Sequence, residues 1–218
     1  YVRHETPVAG RRHAGLSLWN VESAVNWSEP VAGEPSLSIL PSRLWLIGLG
    51  HLGQAYLWAL GLLPYGDHAD VELTLQDVDE ITPSTESTSI LSDSTMVGQK
   101  KTRVMAAWAE RRGFSTRICE RLFDDAFKRH DTEPCVALCG LDNALGRRAL
   151  DKVGFELIVE AGLGRGYRDF RTMRLHVLPG RRSASEMWPD LEIIEDLSDR
   201  SAYVHLREDG VLDQCGTT

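Results

Sequence analysis

The chain has 218 residues, enough for one domain with a single continuous core, since a fold of this size buries roughly 70% of the surface its unfolded chain exposes. A formal net charge of −8 with no run of Lys or Arg argues against nucleic acid or an anionic membrane as the main partner, while a nucleotide held by local backbone donors stays open. No apolar stretch approaches the roughly 18 residues that span a bilayer, and the opening YVRHETPVAGRRHAG lacks the apolar middle of a signal peptide, so a cytoplasmic protein is expected.

Residues 1–40 are rich in Gly, Pro and Ser except over Leu16 to Trp27, where Leu18, Val21 and Val25 form one apolar face of a helix. This segment is read as an N-terminal arm on a domain that fills 41–218. The periods then alternate: strand 44–48, helix 51–63, strand 71–76, helix 98–111, strand 114–120, strand 135–139, helix 143–152 and strand 156–160. Alternation of this kind requires right-handed crossovers, which predicts a doubly wound, Rossmann-like α/β fold whose mostly parallel sheet is covered on both faces. Pro83 to Ser89 is too polar for core and is expected as a surface loop or short helix beside the site. Arg171 to Leu178 alternates like a strand with one wet face, an antiparallel C-terminal extension, and Gly180 to Asp199 reads as a long loop. Of the four cysteines, Cys119, Cys135 and Cys139 fall in expected strands and Cys215 near the end; no C-x-x-C pair points to zinc or a disulfide framework.

The chemistry starts at Leu44-Trp45-Leu46-Ile47-Gly48-Leu49-Gly50-His51-Leu52-Gly53, a buried strand followed by Gly-x-Gly-x-x-Gly. Gly48 permits a tight turn, Gly50 lets backbone N–H groups approach an anion, and Gly53 lets helix pack closely on strand. The turn alone does not say whether the phosphate belongs to a dinucleotide or to ATP. The second strand ends in Asp77 and Asp79, where an acid hydrogen-bonds a ribose; dinucleotide enzymes usually carry one acid there, and this chain carries two. Lys101 opens the next helix after Gly98, and Asp142 with Asn143 follows the fourth strand. A lysine and a carboxylate converging on one polyphosphate suit ATP with Mg²⁺, because the lysine offsets phosphate charge and the carboxylate can hold the ion.

The series Gly48-x-Gly50-x-x-Gly53, Asp77-x-Asp79, Gly98-x-x-Lys101, Asp142-Asn143, Arg147 and Glu160-Ala161-Gly162 resembles the ThiF/MoeB superfamily, the adenylating enzymes related to the ubiquitin-activating enzyme. The resemblance covers about residues 42–180. It implies Mg-ATP-dependent adenylation of the C-terminal carboxylate of a ubiquitin-like or sulfur-carrier protein, by a homodimer or with a partner subunit. It further implies that the glycine turn holds the nucleotide, with Asp79 and Asn143 around it, that Asp77 meets the ribose, that Lys101 meets the phosphates and that Asp142 holds magnesium. One departure stands out: where the family has Asn and Arg spaced as N-x-x-R, this chain has Thr85 and Thr88. A neutral hydroxyl in place of a guanidinium removes a charged phosphate contact, at a cost of about 2–4 kcal/mol unless another cation, such as Arg11 or Arg12 of the arm, replaces it. The departure keeps a second reading open, a non-catalytic partner subunit with the same fold; an NAD-dependent oxidoreductase is a third. His51, where many relatives have Gly, is expected as a solvent-facing turn residue. Cys215 precedes Thr217-Thr218, a placing similar to that of the thioester cysteine in some of these enzymes, which makes it the candidate nucleophile toward an acyl-adenylate.

Overall fold

The structure is a computed structural model that describes residues 39–163 and 173–189. The expected helix at 16–27, Arg11, Arg12 and Cys215 lie outside the described residues. The description concerns the compact unit that begins at Pro41.

Six strands form one sheet: β1 (Arg43–Ile47), β2 (Glu72–Gln76), β3 (Ser115–Cys119), β4 (Val136–Cys139), β5 (Leu157–Leu163) and β6 (Met173–Leu178), in the order β3-β2-β1-β4-β5-β6. The first five are parallel, and β6 runs antiparallel to β5 at one edge. The mostly parallel, doubly wound α/β fold with an antiparallel C-terminal strand is therefore as the alternation predicts.

β1 sits at the centre because its residues are apolar on both faces, as a strand covered by helices on each side must be. Leu44 and Leu46 face a core shared with Leu73, Leu75, Met105 and Trp108, under helices α1 (His51–Leu60) and α3 (Lys101–Glu110). Trp45 and Ile47 face the opposite core with Ala149, Leu150 and Val153 of α4 (Ala144–Val153). The indole of Trp45 packs edge-on against Phe127 and Phe155, each at 5.6 Å between ring centres. Its N–H donates 2.9 Å to buried Gln76 Oε1, and Gln76 Nε2 in turn donates 3.0 Å to the Arg121 carbonyl. This chain keeps a polar side chain satisfied at the buried end of β2 and pins the helix-free crossover from β3 to β4.

The expected boundaries shift at several places. The helix expected from 98 begins at Lys101, because Gly98 takes φ +83° and Lys100 forms a lone antiparallel bridge with Glu80, so the chain is extended up to the helix cap. α1 ends at Leu60, with Gly61 as its cap, rather than at 63. Cys135 precedes β4 instead of opening it, its carbonyl accepting from Glu156 N at 2.9 Å. Pro83–Thr88 is a short helix, α2, capped by Thr82 with Pro83 in its first turn. The expected long loop from 180 contains a further helical turn, α5 (Ala184–Met187), set by the capping box of Ser183 and Glu186 and anchored by buried Ala184. Among the described residues no helix is long and apolar enough to cross a membrane.

Candidate functional site

The strand order reverses at β1, between β2 and β4, and a crevice outside the carboxyl ends of such strands is where open α/β sheets take ligands. Four glycines build this edge, for different reasons. Gly48 has φ +78°, a left-handed conformation that a side chain would strain. A Cβ on Gly53 would lie 1.9 Å from the Gly48 carbonyl oxygen, and one on Gly140, just after β4, would lie 2.8 Å from Gly53 N. These three let β1, α1 and β4 meet backbone to backbone. Gly50 is unlike them: its φ is −74°, which any residue adopts, and a Cβ there would meet nothing within 4 Å. Its missing side chain therefore serves no internal packing, and it caps a helix that no side chain caps. An open, uncapped helix N-terminus presents partial positive charge to whatever lies above Gly50.

The turn is braced from β2. Asp77 Oδ2 accepts from Leu49 N at 2.7 Å and its Oδ1 from Asp79 N at 2.8 Å, so this carboxylate locks the turn to the strand end. Asp79 instead reaches the edge of the crevice, where its Oδ2 pairs with Lys101 Nζ at 3.0 Å. The ammonium of Lys101 is thereby held in place, with only 12% of the side chain exposed against 64% for Asp79. A side chain that sequence reasoning passed over, Gln54, is fully buried in α1: Nε2 donates 3.2 Å to the Leu49 carbonyl, and Oε1 accepts from Leu91 N and Ser92 Oγ. It ties the turn to the segment after α2. A glutamine one residue beyond a glycine turn, on the core side of an apolar helix, was the available signal.

His51, the first residue of α1, does more than face solvent. Thr88 Oγ1 lies 2.8 Å from its Nε2 and 3.0 Å from its Nδ1. The imidazole pKa is lowered, first by partial burial and then by the charge of Lys101, with Asp142 opposing. One ring thus feels both the lysine and the carboxylate that the sequence singled out. Gly48, Gly50, Gly53, Asp77, Asp79, Lys101, Asp142 and Asn143 all fall at this sheet edge. Asn143 is the cap of α4, its Oδ1 accepting from Gly146 N at 2.7 Å, so its carbonyl oxygen is already engaged in helix capping. Asp142 is exposed. Thr85 and Thr88 are both employed: Thr85 completes the capping box of α2 with Thr82, and Thr88 donates to the Ser84 carbonyl at 3.1 Å while holding His51.

Among the described residues, no group of three or more His, Cys, Asp or Glu side chains is placed to hold a metal ion. Asp142 fits magnesium in the manner that ion prefers, one carboxylate with the remaining positions left to water and phosphate oxygens.

The other residues of the motif series, Arg147 and Glu160, pair with each other beside the end of β4, where Glu160 is the register partner of Cys139. Glu160 is 1% exposed; its Oε2 meets His176 Nδ1 at 2.7 Å, and its Oε1 lies 2.9 Å from Arg147 Nε, within ion-pair range though off the hydrogen-bonding direction. Trp188 stands edge-on to His176, 5.1 Å between ring centres. Two of the described cysteines are poor nucleophiles: burial pushes the Cys139 thiol up to about 12, and burial likewise raises that of Cys119.

A mostly parallel six-stranded sheet with a glycine turn at its switch point and an Asp-Lys pair beside it defines a Rossmann-like α/β protein. Residues 40–218 match the family model of the BilD C-terminal domain, and the chain belongs to that family. It is 50% identical over 214 residues to the bacterial E1-like protein BilD of Collimonas sp. (strain OK412), covering 97% of this chain and 46% of that protein. The chain thus spans about half the length of the curated relative it matches. Solved structures that it resembles include TcdA (CsdL), with a TM-score of 0.48 and 18% identity over 57% of this chain and 51% of that one. Another is the E. coli tRNA N6-threonylcarbamoyladenosine dehydratase TcdA in complex with ATP, with a TM-score of 0.46 and 18% identity over 57% and 53% of the two chains.

Proposed function

We propose that this chain is the adenylation domain of an E1-like enzyme of ThiF/MoeB type, which uses Mg-ATP to activate the C-terminal carboxylate of a ubiquitin-like or sulfur-carrier protein. The observation that carries the reading is Gly50, a glycine that neither its backbone angles nor its neighbours require, set at an uncapped helix N-terminus with Lys101 and Asp142 within electrostatic reach of the adjoining ring. A phosphate chain accounts for all three features. In the reaction proposed, a carboxylate oxygen of the protein substrate attacks the α-phosphorus of ATP, the bond from that phosphorus to the bridging oxygen breaks, and pyrophosphate leaves with the electron pair. Lys101, released from Asp79 or shared with it, offsets the charge on the phosphates. Asp142 would hold magnesium, which supplies charge neutralisation along the polyphosphate. Asp79, the freer of the two carboxylates at the end of β2, is the better placed to meet the ribose, and Asp77 contributes by locking the turn. The enzyme would work in the cytoplasm, as a homodimer or with a partner subunit, and residues 1–40 would serve as an arm on this domain.

Cys215 is proposed as the next acceptor: its sulfur attacks the carbonyl carbon of the acyl-adenylate, forming a thioester as AMP leaves. A reductant-sensitive adduct that disappears in Cys215→Ala supports this step, and one that survives assigns the thiol elsewhere.

The specific observation favouring the other reading, a non-catalytic partner subunit, is that both threonines at the family's Asn and Arg positions are engaged within the protein. ATP-pyrophosphate exchange with a candidate ubiquitin-like substrate separates the two. Exchange lost in Asp142→Ala and in Lys101→Ala supports the enzyme; calorimetry showing NAD bound more tightly than Mg-ATP overturns the nucleotide assignment.

A further inference from the structure

The glycine turn and the segment that follows α2 are joined through one side chain of α1. Gln54 is 0% exposed, and its amide is satisfied on both sides: Nε2 donates 3.2 Å to the Leu49 carbonyl, while Oε1 accepts from Leu91 N at 3.1 Å and from Ser92 Oγ at 3.0 Å. These partners fix which way the amide points, because a backbone carbonyl can only accept and a backbone N–H can only donate. An ionised glutamate at 54 could serve one side, and an aliphatic side chain neither. Leu49 is also held from the opposite direction, its N–H donating 2.7 Å to Asp77 Oδ2, so the turn is clamped between β2 and α1. The joined segment reaches the surface: Ser89 N donates to the Thr85 carbonyl at the end of α2, and Ile90, 54% exposed, stands beside the anchored Leu91.

We propose that Gln54 is a positioning residue that couples the glycine turn to residues 89–92, so that a nucleotide held by the turn also closes that segment. The inference rests on the nucleotide reading. Swinging 89–92 away from the body takes Leu91 N and Ser92 Oγ from Gln54 Oε1 and strands a buried acceptor, which is costly unless the amide moves with them. The amide can follow only by releasing the Leu49 carbonyl. A ligand that holds the turn holds that carbonyl too, and whatever binds the closed arrangement better than the open one favours it. Gln54, fully buried, thus acts through the turn on one side and through Leu91 on the other.

The test is amide hydrogen exchange, followed residue by residue by NMR with and without Mg-ATP, in the parental chain, Gln54→Met and Ser92→Ala. Without nucleotide, Gln54→Met is expected to speed exchange at Leu91 by about tenfold, the effect of losing one buried hydrogen bond. With Mg-ATP, exchange in the parental chain is expected to slow at residues 48–53 and at Leu91 together. In Gln54→Met the slowing persists at 48–53 and disappears at Leu91, whereas a residue that only added stability would raise exchange at both places and leave the two responses linked. Ser92→Ala keeps the turn and the Leu91 contact, and it carries the test if Gln54→Met does not fold: it should reduce the slowing at Leu91 and leave that at 48–53 unchanged. Undiminished slowing at Leu91 in a folded variant, or slowing at 48–53 with none at Leu91 in the parental chain, overturns the coupling and leaves the nucleotide reading intact. If Mg-ATP slows nothing at 48–53 in the parental chain, the nucleotide reading fails and this inference with it.

Discussion

Two of the charge clusters among the described residues are built on opposite terms. At the crevice mouth, Asp79 pairs with Lys101 and His51 leans on Thr88, with Asp142 exposed nearby. Between α4, β5 and β6, Glu160 is buried with Arg147 and His176 around it. In the buried set Glu160 is 1% exposed and faces the Arg147 guanidinium, so removing the carboxylate strands that cation. At the mouth the carboxylates are the exposed partners, Asp79 at 64% and Asp142 open to solvent, so removing either leaves the fold little changed and alters what approaches. The same residue types thus read as architecture in one place and as chemistry in the other, and burial decides which. The resemblance groups Arg147 and Glu160 in one motif series with Lys101 and Asp142; in the structure Arg147 and Glu160 pair with each other, while Lys101 pairs with Asp79.

Glu160→Ala against Asp142→Ala is the sharpest break of this comparison. Glu160→Ala leaves the largely covered Arg147 guanidinium without its Glu160 counter-charge and is expected to lower unfolding free energy by about 3–5 kcal/mol in urea titrations. Asp142→Ala, on an exposed side chain, is expected to change it by less than about 0.5 kcal/mol and yet to abolish pyrophosphate exchange. A stable Glu160→Ala, or an Asp142→Ala that unfolds early, would reverse the assignment of the two clusters.

The glycines offer the same contrast within ten residues. Alanine at 53 would place a methyl group 1.9 Å from the Gly48 carbonyl oxygen, a clash with backbone that cannot swing away. Overpacking of this kind costs about 1–3 kcal/mol or more, so Gly53→Ala is expected to melt at least about 2–4 °C lower. Gly50→Ala meets nothing and requires no strained angle, so its melting temperature should match the parent's. Its methyl group would project into the space proposed for phosphate, and Mg-ATP affinity should fall. Unchanged Mg-ATP affinity in a folded Gly50→Ala would mean that the open side of the turn is not where the nucleotide lies.

The sheet was legible because β1 and β4 carry apolar runs that only a doubly covered strand can accommodate, and because Lys101 and Asp142 stand where a strand end or helix start aims a side chain at the crevice. What escaped was set by backbone geometry and tertiary pairing. Helix α3 begins three residues later than its composition implies, since Gly98 is left-handed and Lys100 is bridged to Glu80, neither of which periodicity reports. α5 was signalled by Ser183 and Glu186 but hidden in a polar stretch. Asp77 and Asp79 look equivalent in sequence; only the contact of Asp77 with Leu49 N tells the brace from the carboxylate that meets Lys101. Thr85 and Thr88 read as the loss of an amide and a guanidinium, whereas the structure gives each a partner, Thr82 for the one and Ser84 and His51 for the other.

The smallest expected effect concerns the thiols, and it tests whether the crevice floor is as rigid as the glycine contacts require. Cys139 ends β4 directly before Gly140, whose close approach to Gly53 and Gly48 forms that floor. Its thiol is fully buried, and burial is the first cause of its rise to about 12, with the Leu141 N–H and Arg147 pulling back and Glu160 adding to it. A raised thiol pKa keeps the group protonated, so at pH 8 only about one molecule in ten thousand carries the thiolate. Cys119 is also raised by burial, but it is only half-covered, at the end of strand β3. Iodoacetamide at pH 8, followed by peptide mass spectrometry, should therefore label Cys119 slowly and leave Cys139 untouched until urea unfolds the chain. Labelling of Cys139 at the rate of Cys119 under native conditions would mean that the end of β4 opens to solvent. The contacts between Gly140 and the turn would then be intermittent, and the site would owe its shape to the ligand rather than to the fold.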